Sequence, residues 1–337
     1  MLKSKIKKVA VVGAGGWGTA LSTVLSDNGY KVILWAFEEE VARGINLNHQ
    51  NSMYLPGVTI NDKIKVTNSL NDLFYEDLYI FTVPTQHIRS ILKKIKLNKR
   101  EAIIVNGAKG IETGTLYRPS EIFNECLDLP LDNFVVLTGP SHAEEVARKL
   151  PTTVVSASTE HSSALIIQKL LNNEHFRVYT TDDVIGCELG GALKNVIAIA
   201  AGIIDGLGLG DNTKAALITR GLAEISRLGI ALGAKPITFS GLSGLGDLTV
   251  TCNSKYSRNR YVGEEIGKGK KLGEIINNMK MIAEGIPTTE SAYFLSKKHK
   301  VEMPITEQMY KILFEDYSPI LALKELMNRQ SKKEWWW

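Results

Sequence analysis

The residues Gly13-Ala14-Gly15-Gly16-Trp17-Gly18 constrain the fold more than any other stretch of this chain. They follow the apolar run Lys8–Val12 and open the amphipathic pattern Trp17–Asn28, so a strand runs into a glycine turn and the turn into a helix. The first glycine permits the tight turn, the second lets the backbone reach a pyrophosphate, and the third lets helix and strand close together. A helix N-terminus adds free N–H groups and the positive end of its dipole. A glycine turn kept only for packing is the plainer reading. Strand before and helix after is the context that dinucleotide binding requires.

The rest of the first half continues the alternation. Lys31–Trp35, Leu78–Val83, Ala102–Val105, Phe134–Leu137 and Thr153–Val155 read as buried strands, with helical patterns such as His87–Ile95 between them. Strand–helix alternation implies right-handed crossovers and a parallel sheet covered on both faces. From about Asp182 the texture changes to long Ala/Leu/Ile/Gly segments: Val184–Asp205, Asn212–Leu232, Thr288–Lys298, Pro304–Phe314 and Pro319–Arg329. The expected class is α/β, with a Rossmann-type parallel sheet over residues 1–183 and an all-helical domain over residues 184–337. The Trp335-Trp336-Trp337 ending has no physical account in this pattern.

Composition narrows the function. Of 337 residues, 44% are apolar and 23% charged, so a disordered or fibrous chain is excluded. Forty basic against 36 acidic side chains leave +4, too small an excess to argue for nucleic acid but compatible with a small anionic substrate. Cys126, Cys187 and Cys252 are odd in number and form no CxxC pair, which points to a reducing cytoplasm. Lys3, Lys5, Lys7 and Lys8 before Val9–Leu25 imitate a secretory signal, but the glycine turn explains that run better. Elsewhere the uncharged stretch Asn195–Ile204 is half a bilayer span, so no membrane insertion is expected. The six histidines form no HxxxH or carboxylate–histidine cluster, and no metal site is expected.

Several further segments carry chemistry. NAD-selective folds place a carboxylate after the second strand, but here that position is Ala36. Glu38 and Glu39 can substitute from the loop, Arg43 can meet a 2′-phosphate, and all three can equally be a solvated helix start; NAD and NADP both stay open. Lys109, between Gly107 and Gly110 at a strand end, reads as a substrate ligand or a surface turn lysine. Ser141 with Glu144 forms a capping-box pattern that either caps a helix Ser141–Lys149 or also faces a ligand. Lys194 is the one charge between Leu189 and Ile204; a lysine there is a snorkelling surface residue or a functional one. Ser257-Arg258-Asn259-Arg260 combines an N-cap with anion-binding side chains, though a basic surface turn would look the same.

Taken in order, Gly13–Leu21, Asn106–Glu112, Thr138–Ala147, Glu188–Ile203, Gly244–Cys252 and Ser257–Arg260 closely resemble the bacterial NAD(P)-dependent glycerol-3-phosphate dehydrogenases. The resemblance implies reversible reduction of dihydroxyacetone phosphate to sn-glycerol 3-phosphate for phospholipid synthesis. It places Gly13, Gly15, Gly16, Trp17, Gly18, Phe37, Lys109, Ala143, Arg258, Ile282 and Glu284 on the cofactor, NAD or NADP. It places Lys109, Gly139, Ser141, Lys194, Asp247, Ser257, Arg258 and Asn259 on the substrate, with Lys194 as catalytic proton donor and acceptor. A cytoplasmic protein, with a homodimer as one option, fits this reading. Another hydroxyacid dehydrogenase of the same architecture would not need the Ser257–Arg260 phosphate site, and a non-catalytic dinucleotide sensor would not need Lys194.

Overall fold

Short runs of β-branched and aromatic residues become strands wherever neighbours can cover both faces. In chain order these are β1 (Lys8–Val12), β2 (Lys31–Trp35), β3 (Gln50–Asn51), β4 (Leu55–Thr59), β5 (Lys65–Thr67), β6 (Leu78–Phe81), β7 (Ile103–Asn106), β8 (Phe134–Thr138), β9 (Thr152–Ala157) and β10 (Phe176–Thr181). The computed structural model describes residues 6–74, 76–97, 102–127, 133–279, 281–331 and 333–334; the three terminal tryptophans lie outside them. The chain divides into two units, Met1–Lys109 with Tyr117–Glu188, and Gly110–Leu116 with Leu189–Trp337.

In the first unit eight strands form one sheet, ordered β10-β9-β8-β7-β6-β1-β2-β5, while β3 and β4 form a separate hairpin. β1 lies between β2 and β6, with Val12 opposite both Trp35 and Phe81. Val9 to Val12 are wholly buried, which is why that strand reads as an unbroken apolar run. The helix Gly16–Asp27 follows directly and buries Leu21, Val24 and Leu25. β1 therefore ends at the glycine turn in the middle of the sheet, where open α/β sheets bind ligands.

The sheet is not wholly parallel, contrary to the alternation. β8 and β9 run antiparallel, Val136 opposite Ala157 and Thr138 opposite Val155. The helix in their connection, Ala143–Ala147, has five residues. At about 1.5 Å per residue it cannot carry the chain back along a strand, so β9 starts where β8 ended. The β3–β4 hairpin, β5 and β10 are also additions to what the periodicity indicates.

β10 is an edge strand whose outer backbone groups are occupied at Phe176 and Val178. Phe176 N–H donates to Asn173 Oδ1 at 2.8 Å and its carbonyl accepts from Asn173 N. Val178 N–H donates to Asn172 Oδ1 at 2.7 Å, and its carbonyl accepts from Gln168 Nε2 at 2.8 Å.

The second unit is helical among its described residues. After Leu189 the long helix Val184–Gly206 continues through it, followed by Gly210–Ala231, Pro236–Phe239, Asp247–Asn253, Arg258–Gly267, Leu272–Asn277, Gly285–His299, Pro304–Phe314 and Pro319–Met327. The segment Gly110–Leu116 joins it, with Ser291 Oγ donating to Ile111 O at 3.2 Å. By length and hydropathy Val184–Gly206 could cross a bilayer, more than the uncharged run alone indicates. Its apolar window is 100% buried inside the protein, as in a core helix.

Glycines set the crossing of this helix with Arg258–Gly267: Gly202 and Gly206 on one, Gly263 and Gly267 on the other. A Cβ on Gly202 would lie 1.9 Å from Arg260 O, and one on Gly263 would lie 1.9 Å from Ile199 O. The backbones touch, so residues 257–259 are delivered beside Asn195. Elsewhere in this unit buried Glu224 caps the helix Pro304–Phe314, accepting from Ile305 N at 2.7 Å and Thr306 N at 3.2 Å. Burial outweighs those bonds and raises its carboxyl to about 7.

Candidate active site

In the first unit the glycine turn has the shape that the spacing implies. Gly13 sits at φ +119°, and a Cβ on Gly18 would meet Gly13 O at 1.9 Å. Gly15 differs: its φ is −65°, and a Cβ there would meet nothing within 4 Å. The protein's own packing does not explain Gly15, whereas a phosphate group lying on the backbone would. Gly15 caps the helix with no side-chain bond, leaving its first N–H groups for a ligand. The buried Trp17 Nε1 has no hydrogen-bond partner among the described residues. These features fit a dinucleotide.

Other expected cofactor residues of this unit differ in exposure. Phe37 is 77% exposed just past β2, its ring edge-on to Trp35 at 6.2 Å. Ala143 opens its short helix, with its Cβ 3.4 Å from where one on Gly16 would stand.

Lys109, Gly139 and Ser141 converge on one atom. Gly139 O accepts from Lys109 Nζ and from Ser141 Oγ, both at 2.9 Å. Gly139 has φ +133°, and a Cβ there would crowd the Val154 backbone at 3.0 Å. The capping box does not form. The helix begins at Ala143 with His142 as N-cap and no side-chain cap bond. Ser141 lies one residue too early to cap it, and its hydroxyl turns back to Gly139 O instead.

The second unit holds the buried lysine. Lys194, 6% exposed, donates from Nζ to Asp247 Oδ1 and to Thr251 Oγ1, each at 2.6 Å. Thr251 Oγ1 donates onward to Asp247 O at 2.6 Å. Snorkelling is therefore excluded. An ammonium so enclosed persists because a carboxylate and a hydroxyl replace its water. Local folding explains the placement: Gly246 N–H donates to Gly241 O at 3.1 Å in a wide turn, after which Asp247–Asn253 is helical. Asp247 and Thr251, four residues apart, then share one helix face.

Asn195, next in sequence, accepts at Oδ1 from Asn259 Nδ2 at 2.9 Å, and Asn259 Oδ1 accepts from Gly285 N at 2.8 Å. Ser257 caps the helix Arg258–Gly267, accepting from Arg260 N at 3.2 Å. Arg258 is exposed, with Nη1 donating to Ile282 O at 3.0 Å, while Glu284 is the residue before the helix Gly285–His299. Arg260 belongs elsewhere: it pairs with Asp205 at 2.6 Å and Glu264 at 3.3 Å. Of the four residues expected at the anion site, Ser257, Arg258 and Asn259 remain candidates. Burial pushes the nearby Cys252 thiol up to about 12, so it supplies no nucleophile.

Sequence reasoning missed three residues. Thr251 was visible in principle as the i+4 neighbour of Asp247. Asn51 and Tyr54 were not, because only the hairpin brings them to the glycine turn: Asn51 Nδ2 donates to Ala14 O and Thr19 Oγ1, both at 2.8 Å.

Comparison with known proteins agrees with the geometry. Residues 8–164 match the family model for the N-terminus of NAD-dependent glycerol-3-phosphate dehydrogenase, and residues 183–324 match that for its C-terminus. The glycerol-3-phosphate dehydrogenase (NAD(P)+) of Pelotomaculum thermopropionicum is 52% identical over 97% of this chain and 95% of its own length. That of Bacillus velezensis is 51% identical over 98% of this chain and 96% of its own. Among solved structures, glycerol-3-phosphate dehydrogenase from Coxiella burnetii superposes with a TM-score of 0.91 at 38% identity, covering 96% of this chain and 99% of that one. The chain belongs to the bacterial NAD(P)-dependent glycerol-3-phosphate dehydrogenase family.

Proposed function

We propose that this protein is an oxidoreductase that interconverts dihydroxyacetone phosphate and sn-glycerol 3-phosphate with NAD or NADP, in the cytoplasm, supplying glycerophospholipid synthesis. Beyond family membership, the observation that carries the reading is Lys194, a buried ammonium held by Asp247 and Thr251 in a chain that also presents an open glycine turn.

The bound nicotinamide cofactor supplies or accepts the hydride. Every other task falls to the chain. The backbone of Gly13–Gly18 and the N-terminus of the following helix hold the pyrophosphate. Trp17, Phe37, Lys109, Ala143, Arg258, Ile282 and Glu284 are the other proposed cofactor contacts. Lys109, Gly139 and Ser141 bind substrate through the polar cluster centred on Gly139 O. Ser257, Arg258 and Asn259 hold the substrate phosphate, Asn259 being fixed by Asn195 and Gly285. During reduction, charge grows on the carbonyl oxygen, and Lys194 Nζ stabilises it and delivers a proton. Asp247 and Thr251 keep that Nζ in one place and ready it for reprotonation. Oxidation uses the same groups in reverse.

The test is NADH oxidation with dihydroxyacetone phosphate, with dihydroxyacetone, and with 2-keto acids. The phosphorylated ketone should be favoured over dihydroxyacetone by about two to three powers of ten, and Arg258→Ala should abolish most of that preference. Equal rates on both ketones would remove the phosphate argument. Preference for a keto acid would favour another hydroxyacid dehydrogenase, and dinucleotide binding with no turnover would favour a sensor.

A further inference from the structure

We propose that Glu38, positioned by Tyr54, makes this protein prefer the dinucleotide whose adenosine ribose carries a free 2′-hydroxyl over the 2′-phosphorylated one. The inference rests on the dinucleotide reading above and adds which cofactor is favoured and by which residues.

The usual place for a ribose-reading carboxylate is filled by Ala36, which is wholly buried and whose N–H donates to Thr67 O at 2.8 Å. Glu38 stands two residues on, as N-cap of the helix Glu39–Asn48, yet its side chain makes no capping bond. Its carboxylate is held instead by the Tyr54 hydroxyl, which donates to Oε1 at 2.7 Å. Oε2 accepts no hydrogen bond among the described residues, so one oxygen is fixed and the other stays available.

Two connections tie this carboxylate to the glycine turn. Through the backbone, Gly13 N–H donates to Trp35 O at 3.0 Å at the end of β2, three residues before Glu38. Through the hairpin, Tyr54 N–H donates to Asn51 Oδ1 at 3.1 Å, and Asn51 Nδ2 donates to Ala14 O at 2.8 Å. Tyr54 O also stands 2.8 Å from where a Cβ on Gly16 would be. The carboxylate therefore belongs to the same framework as the pyrophosphate cradle, at the strand end where the adenosine ribose is read.

The charges agree. A carboxylate accepts from a ribose hydroxyl but repels a phosphate, and Glu39 and Glu40 follow Glu38 directly. Arg43, exposed a turn further along the same helix, is the cation available to offset them. NADPH is accordingly disfavoured, not excluded.

The decisive measurement is the pair of dissociation constants for NADH and NADPH by titration calorimetry on the full chain, with steady-state rates alongside. The intact protein should bind NADH more tightly by about tenfold or more, and Glu38→Gln should bring the ratio close to one. Tyr54→Phe should weaken NADH by about threefold and leave NADPH unchanged, whereas a purely structural tyrosine would weaken both equally. Equal or inverted affinities in the intact protein, or a ratio unmoved by Glu38→Gln, would overturn the proposal. Failure of both dinucleotides to bind would overturn the dinucleotide reading with it. Binding without reduction of dihydroxyacetone phosphate would instead count against the substrate reading, and the affinity ratio would still decide the role of Glu38.

Discussion

The two units prepare for a ligand with different materials. The sheet unit offers backbone: a glycine turn, an uncapped helix start and a carbonyl that gathers Lys109 and Ser141. The helical unit offers charge, a lysine and an aspartate enclosed between the helices Val184–Gly206 and Asp247–Asn253. Backbone N–H groups do not titrate, and they serve as long as no side chain covers them. A buried ion pair is costly to assemble, but it can exchange a proton. Recognition and proton transfer should therefore fail separately.

Lys194→Met tests that separation most severely. Methionine keeps the aliphatic stem, so folding and dinucleotide affinity should survive while turnover falls by about 10²–10⁴. Cofactor titration and steady-state rates on one preparation decide it; a rate within a few-fold of the parent would make Lys194 structural and Lys109 the candidate.

Gly15→Ala is the complementary break. Its φ of −65° and the empty space around a Cβ mean that stability should change by less than about 1 kcal/mol, while dinucleotide binding weakens by roughly thirtyfold. If calorimetry finds affinity unchanged, no ligand lies on that backbone.

Glu224 sharpens the contrast through pH. Burial pushes its carboxyl from the ordinary 4.5 up to about 7 in the folded chain. Between those values the folded chain keeps a proton that the unfolded chain releases, so stability falls as pH rises from about 4.5 to about 7 and levels off above. The total loss should amount to about 3 kcal/mol and largely vanish in Glu224→Gln, read by denaturant unfolding across pH 4.5–8. NADH affinity, resting on backbone, should stay level over pH 6–8.

Thr251→Val gives the smallest effect. Removing the hydroxyl takes one acceptor from Lys194 Nζ and leaves Asp247, so kcat should fall about fivefold with the KM for dihydroxyacetone phosphate unchanged. A larger change in KM than in kcat would place Thr251 on substrate binding.

Features fixed by one local run of residues were legible in the sequence. The glycine turn, β1, β2 and the cap at Ser257 each depend on neighbours within a turn or two. Features that needed distant segments were not. The antiparallel β8–β9 pair depends on the shortness of an intervening helix, and Tyr54 reaches Glu38 only because β3 and β4 pair. The capping-box pattern at Ser141 and Glu144 misled because spacing alone cannot say where the first helical residue falls. Arg260 looked like a phosphate ligand from its neighbours in sequence, but Asp205, 55 positions earlier, takes it.

The closed rim of β10 bears on the life of the protein outside its active site. A newly made chain meets many copies of itself, and an edge strand with open N–H and carbonyl groups is where a second sheet would join it. Here Asn172, Asn173 and Gln168 occupy those positions on Phe176 and Val178. Three uncharged side chains thus oppose sheet growth along this stretch of the edge while adding nothing to net charge.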